Sequence, residues 1–156
     1  PARDPKRLQT KARRYFADPS IAAAMLGMSP AALIGDWQTF GFLFENLCIR
    51  DLLVYARSLL DIGMEPVRYY HDDSGLECDA IIELSDGRWG GIEIKSSEDK
   101  VPEAAANLCR LKDKLLRNPS ARTREPEFLA VLVGVGEFAY QRDDGVYVIP
   151  VGVLGA

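Results

Sequence analysis

The sequence has a single histidine, His71, and three cysteines, Cys48, Cys78 and Cys109, with no CxxC pair among them. One histidine rules out a His-rich metal centre and leaves little room for a Ser-His-Asp or Cys-His relay. An odd number of scattered thiols argues against both a disulfide framework and a zinc site. No run approaches the ~20 apolar residues that a membrane span needs, so no membrane association is expected. Basic residues are in the minority, 19 Lys+Arg against 23 Asp+Glu, giving a net charge of −4 and a pI near 5.1. That balance speaks against a protein that coats nucleic acid without regard to sequence. No G-x-x-x-x-G-K-[ST] occurs, so no ATP site of the P-loop kind is expected in this chain. Gly134-Val135-Gly136-Glu137-Phe138-Ala139 fits G-x-G-x-x-A, but a hairpin pattern follows where a dinucleotide site needs a helix.

What is present is an ordinary folding composition: 156 residues, 47% hydrophobic and 27% charged, the size of one domain. The start on Pro1, without Met, is expected of a piece of something longer. Residues 1–20 hold six basic residues against Asp4 and Asp18. Residues 1–17 therefore read as a basic linker or arm, and 18–156 as the folded domain.

Asp18-Pro19 and Ser29-Pro30 are paired cap and first-turn signals, predicting short helices over Ser20–Leu26 and Ala31–Ile34. Apolar residues at helical spacing predict a long helix from Trp37 to about Leu60, closed by Gly63 and Pro66. The period then falls to two. Val67–His71, Leu76–Leu84 and Trp89–Ser96 read as a three-strand meander, with turns at 72–75 and 85–88. Pro102 opens a helix to about Arg117 with Ala104, Leu108, Leu111 and Leu115 on one stripe. Phe128–Val135 is apolar throughout, as expected of a strand covered on both faces. A last hairpin joins Phe138–Gln141 to Val146–Val151. The class is α/β with a mixed sheet, in the order α-β-β-β-α-β, with extra N-terminal helices and a C-terminal β-hairpin.

Three acidic positions stand out from this pattern. Glu45 lies on the apolar stripe of the long helix, where a carboxylate must be paired, neutralised or bound to a cation. Asp79 sits inside a strand, where Asp is depleted. Glu93-Ile94-Lys95 places two charged side chains on one face of the next strand, with Ile94 on the other. Each alone has an ordinary explanation in a salt bridge or a solvated face. Together, the meander makes the strands of Asp79 and Glu93 neighbours, and Glu45 can reach them from the overlying helix. Clustered carboxylates repel unless a cation neutralises them, and oxygen ligands suit Mg²⁺ or Mn²⁺. A nearby Lys can then serve a water or a phosphate charge, which is a site for metal-assisted phosphodiester hydrolysis. His71-Asp72-Asp73, by contrast, is better explained by a turn than by a metal cluster.

Glu45, Asp79 and Glu93-x-Lys95, in this element order, resemble the restriction-endonuclease-like PD-(D/E)xK superfamily. More closely, Phe40-Gly41-Phe42-Leu43-Phe44-Glu45, Ile49-Arg50-Asp51-Leu52, Glu77-Cys78-Asp79-Ala80-Ile81 and Glu93-Ile94-Lys95 resemble an uncharacterised C-terminal domain of bacterial and archaeal AAA-type ATPases, from about Arg14 to Leu154. The resemblance implies a restriction-endonuclease-like core following an ATPase module, with the basic start as the junction. It implies Asp79 and Glu93 as metal ligands, Lys95 serving the attacking water and Glu45 assisting. Cys78 stands where the superfamily's name has Pro.

Arg110, Lys112, Lys114, Arg117, Arg122 and Arg124 face Asp113 alone over 110–124, a candidate DNA-phosphate patch. The expected function is a Mg²⁺- or Mn²⁺-dependent nuclease domain, cytoplasmic, acting on DNA as part of an AAA-type ATPase. The rivals are a catalytically inactive nuclease-fold module that mediates DNA or protein contacts, and a homo-oligomerisation domain.

Overall fold

A computed structural model describes residues 13–59, 62–118 and 123–154. Both proline-headed helices form. α1 (Pro19–Met25) begins where the Asp18 side chain accepts the Ser20 N–H, and α2 (Pro30–Gly35) where Ser29 accepts that of Ala32. α3 (Trp37–Ser58) is capped by Asp36. It stops at Ser58, short of the expected end near Leu60, with Leu59 already extended.

The expected closing residues belong to a strand instead. β1 (Ile62–His71) includes Gly63 and Pro66, and so starts five residues before the period-two pattern becomes legible. β1 lies at the sheet edge, where a Pro without an N–H is tolerated. Its pairing slips between Ile62↔Leu84 and Val67↔Ile82, so the irregular residues sit in a bulge that conceals the alternation.

The rest of the sheet is formed by β2 (Glu77–Leu84), β3 (Trp89–Lys95), β4 (Phe128–Val133), β5 (Tyr140–Gln141) and β6 (Tyr147–Pro150). The strand order is β1-β2-β3-β4-β6-β5. β1, β2 and β3 are the antiparallel meander, and β4 runs parallel to β3 after a crossover through α4 (Val101–Arg117). The C-terminal hairpin is β5–β6, and β6 adds to the sheet parallel to β4. The architecture is thus a six-stranded mixed sheet with several helices.

Alternation gives this sheet two buried faces. Phe44, Cys48, Ile49 and Leu52 of α3 pack on Ala80, Ile92, Ile94, Ala130 and Leu132. On the other face Ala104, Leu108, Leu111 and Leu115 of α4 pack on Ile81, Trp89, Leu129, Val131 and Val133. β4 is therefore apolar on both sides because helices cover both. Each fully buried Leu, Ile or Val there is worth about 1.5–3 kcal/mol of burial. Among the described residues no helix is long and apolar enough to cross a membrane.

Candidate functional site

Antiparallel pairing of β2 with β3 runs from Glu83↔Trp89 to Ala80↔Ile92. At the next residue the ladder gives way to a side chain: Asp79 Oδ2 accepts the Ile94 N–H at 2.8 Å. An Asp is placed inside this strand because its carboxylate takes over a backbone hydrogen bond. It is held 9% exposed in doing so. Where the two strands part, groups from both helical layers can meet.

Glu93, only 4% exposed, projects toward the α4 layer. Its Oε2 lies 2.7 Å from Lys95 Nζ, and its Oε1 accepts a hydrogen bond from Asn107 Nδ2, also at 2.7 Å. The same Asn107 amide donates to the Glu77 carbonyl, tying α4 to the start of β2. Lys95 Nζ stands 3.5 Å from Asp79 Oδ2, so one ammonium is shared by both carboxylates. The period-two reading of Glu93-x-Lys95 and the neighbouring strands thus yields a real convergence.

Glu45 comes from the opposite layer and reaches the cluster through a residue of the basic arm. Arg13 NH1 lies 2.7 Å from Glu45 Oε1 and 3.6 Å from Asp79 Oδ1. Tyr15 donates its hydroxyl to the same Glu45 oxygen at 3.1 Å. The partner of Glu45 is therefore Arg13. Arg50, five residues further along α3, pairs with Asp51 and Asp18. Residues 1–12 of the arm lie outside the described residues; its inner end is held by Asn46, wholly buried on α3, which accepts from the Phe16 N–H and donates to the Phe16 carbonyl. Arg13 also stacks on the Tyr69 ring, 4.5 Å from its centroid.

The electrostatics follow from crowding. Three carboxylates, Glu45, Asp79 and Glu93, face two cations, Arg13 and Lys95. Burial, and then the Asp79 charge, raise the Glu93 carboxyl to about 7 despite Lys95 and Asn107. Glu45 is raised by the same two causes, with Arg13 and Tyr15 opposing. Burial disfavours the Lys95 ammonium, but Asp79 and Glu93 outweigh it and raise its pKa, so Lys95 is charged at neutral pH. Cys78, beside Asp79, points away into the α4 core, where its thiol contacts the Ala80 and Ile92 carbonyls. Burial pushes that thiol far up, so it is inert.

Among the described residues no three His, Cys, Asp or Glu side chains form a ready metal cage. The donor set nonetheless suits a hard divalent cation: Asp79 and Glu93 supply oxygens, and their mutual repulsion marks a deficit of positive charge.

The basic patch divides. Lys114 Nζ is committed to Asp72 Oδ2 at 2.6 Å and to Ser74 Oγ at 2.8 Å. Arg110 donates to Asn107 Oδ1, which places it one side chain away from Glu93. Arg110, Lys114 and Arg117 line a shallow hollow on α4, Lys112 is half-buried, Arg124 is exposed, and Arg122 lies outside the described residues. Asp72 closes the β1–β2 turn, as expected of a turn rather than a metal cluster.

Sequence reasoning missed Arg13, Tyr15, Asn46 and Asn107 as participants. Asn46 carried a usable signal, since it is an amide beside Glu45 on a buried helical stripe. The others carried none, because Arg13 looks like any cation of a basic arm and Asn107 like any polar residue on a helix.

Fold and site together define an α/β domain with a buried, carboxylate-rich centre where two strands of its sheet part. The chain belongs to the family described as a domain of unknown function (DUF4143), which matches residues 40–154. No curated protein and no solved structure matches it.

Proposed function

We propose that this is a metal-dependent nuclease domain of the PD-(D/E)xK kind, hydrolysing phosphodiester bonds of DNA within a larger cytoplasmic AAA-type ATPase. The observation that carries the proposal is Lys95 Nζ shared between Glu93 Oε2 at 2.7 Å and Asp79 Oδ2 at 3.5 Å, in a centre with more carboxylates than cations. Structural ion pairs normally balance. An excess of buried negative charge stores a cost that a bound cation removes.

Asp79 and Glu93 would hold Mg²⁺ or Mn²⁺, which supplies Lewis-acid activation of water and charge neutralisation at the phosphate. Lys95 is protonated at neutral pH, so it orients a water and stabilises developing phosphate charge as a donor, not as a base. Asn107 fixes the Glu93 rotamer. Glu45, neutralised by Arg13 and Tyr15, is the accessory carboxylate. The element order and the Phe40–Glu45, Glu77–Ile81 and Glu93–Lys95 phrases support the superfamily and ATPase assignments.

One observation favours a second reading, an inactive nuclease-fold module. Arg13 sits against Glu45 and Asp79, where a protein cation partly replaces a metal. The test is Mn²⁺ titration by calorimetry with plasmid and oligonucleotide cleavage run in parallel. Wild type is expected to bind Mn²⁺ and cleave, with Lys95→Ala slower by roughly 100-fold or more. Cleavage that is absent or identical in the two proteins would decide for the inactive module.

A further inference from the structure

A cleft of about 460 Å³ opens between α3 and β1 and ends on Asp79, so it leads into the carboxylate centre from the side opposite α4. Its floor is apolar, from Ile49, Leu53 and Val67. Its cations are three guanidinium groups. Arg13 lies at the inner end, stacked on Tyr69. Arg68 lies 3.6 Å from Glu83, and its Nε donates to the Glu65 carbonyl at 3.4 Å, both at the long end of their range. Arg57, exposed in the last turn of α3, makes no ion pair among the described residues. Glu65 and Asp79 are the carboxylates of its lining, and Met64 beside Glu65 stands fully exposed. Neither the core packing nor the ion pairs of the carboxylate centre, among the described residues, include Arg57 or Met64.

We propose that this cleft binds a single-stranded polynucleotide, with its phosphates on Arg57 and Arg68 and bases against Met64 and the apolar floor. The strand would be led to Asp79. The proposal rests on the nuclease reading for its direction and refines its substrate from DNA in general to a single strand. Size decides between strand and duplex. A volume of this order holds one ligand of drug or nucleotide size, whereas a duplex presents a far broader surface that cannot enter. Guanidinium groups read phosphate without regard to sequence, and an apolar face accepts any base. The placement also moves the expected nucleic-acid surface away from α4, where Lys114 is already committed to Asp72 and Arg110 to Asn107.

Fluorescence anisotropy with labelled oligo-dT in EDTA tests this without metal or catalysis. Absence of cleavage elsewhere would therefore overturn the nuclease reading alone, and absence of binding here the cleft alone. Oligo-dT is expected to bind at least about tenfold tighter than a duplex of equal length, and several-fold tighter than an abasic strand. Arg57→Gln and Arg68→Gln should each weaken it about five- to tenfold and lower the salt slope by about one. Met64→Ser, a change at a fully exposed position that folding tolerates, should weaken oligo-dT but not the abasic strand. Equal binding of duplex and single strand would overturn the proposal. So would cleft variants within twofold of wild type, or a loss confined to Lys112→Gln on α4.

Discussion

Two buried acidic centres stand within one sheet, each with a lysine, and they are built on opposite principles. At the β1–β2 turn Asp72 is fully satisfied. Tyr70, Ser74 and Lys114 donate side-chain hydrogen bonds to it, and the Ser74 and Leu76 backbones add two more. Burial alone would raise its carboxyl, but these bonds hold it well below the usual carboxylate range. At the fork of β2 and β3, Lys95 and Arg13 are divided among three carboxylates, and Glu93 is driven up to about 7. A carboxylate whose partners complete its coordination holds the fold. One whose neighbours compete with it marks a place where the fold gives up stability for something else.

Stability measurements are the sharpest way to break that contrast. Asp72→Ala leaves the buried Tyr70 hydroxyl and the turn amides without an acceptor, and is expected to cost about 2–4 kcal/mol by urea denaturation. Asp79→Asn retains an oxygen for the Ile94 N–H and relieves repulsion, so it should fall between neutral and about 1 kcal/mol more stable. Comparable losses at the two positions would show that both centres are structural.

The next effect is on pH dependence. The native state holds the Glu93 proton more tightly than the unfolded chain does. Its contribution to stability is therefore complete below about 4.5 and is lost as the pH rises through about 7. Asp72 has the opposite sign: its contribution is present above the ordinary Asp pKa and is lost as the pH falls. In metal-free buffer, wild type should lose about 2 kcal/mol between pH 5 and pH 8 that Glu93→Gln does not lose. Parallel pH curves for the two proteins would mean that Glu93 is not crowded.

How much of this was legible in the residues follows from range. Asp79, Glu93 and Lys95 could be placed because period two and a hairpin are local rules, and β2 and β3 obey them. The core stripes of α3 and α4 were readable for the same reason. β1 was half hidden, because the bulge around Gly63 and Pro66 breaks the alternation that identifies a strand. The parting of β2 and β3 at Asp79 was not readable, since a side chain that replaces a ladder hydrogen bond looks in sequence like any misplaced Asp. Arg13 meets Glu45 across 32 residues and Asn107 meets Glu93 across 14, from elements whose packing no spacing rule supplies.

The smallest expected effect tests the least legible of these residues. Asn107 Nδ2 donates both to Glu93 Oε1 and to the Glu77 carbonyl, so its role is either to stabilise the charged carboxylate or to pin α4 to β2. Asn107→Ala distinguishes the two. Loss of a donor to the ionised form should raise the Glu93 titration midpoint by a further half unit or so, an effect below about 1 kcal/mol. The ¹³C chemical shift of the Glu93 carboxyl, followed by NMR titration in EDTA, reads it directly. A purely structural tie would lower the urea midpoint and leave the titration where it was. A shift with little change in stability would place Asn107 in the same unbalanced centre as Asp79 and Lys95, since a residue that only held α4 in place has no reason to sense the charge on Glu93.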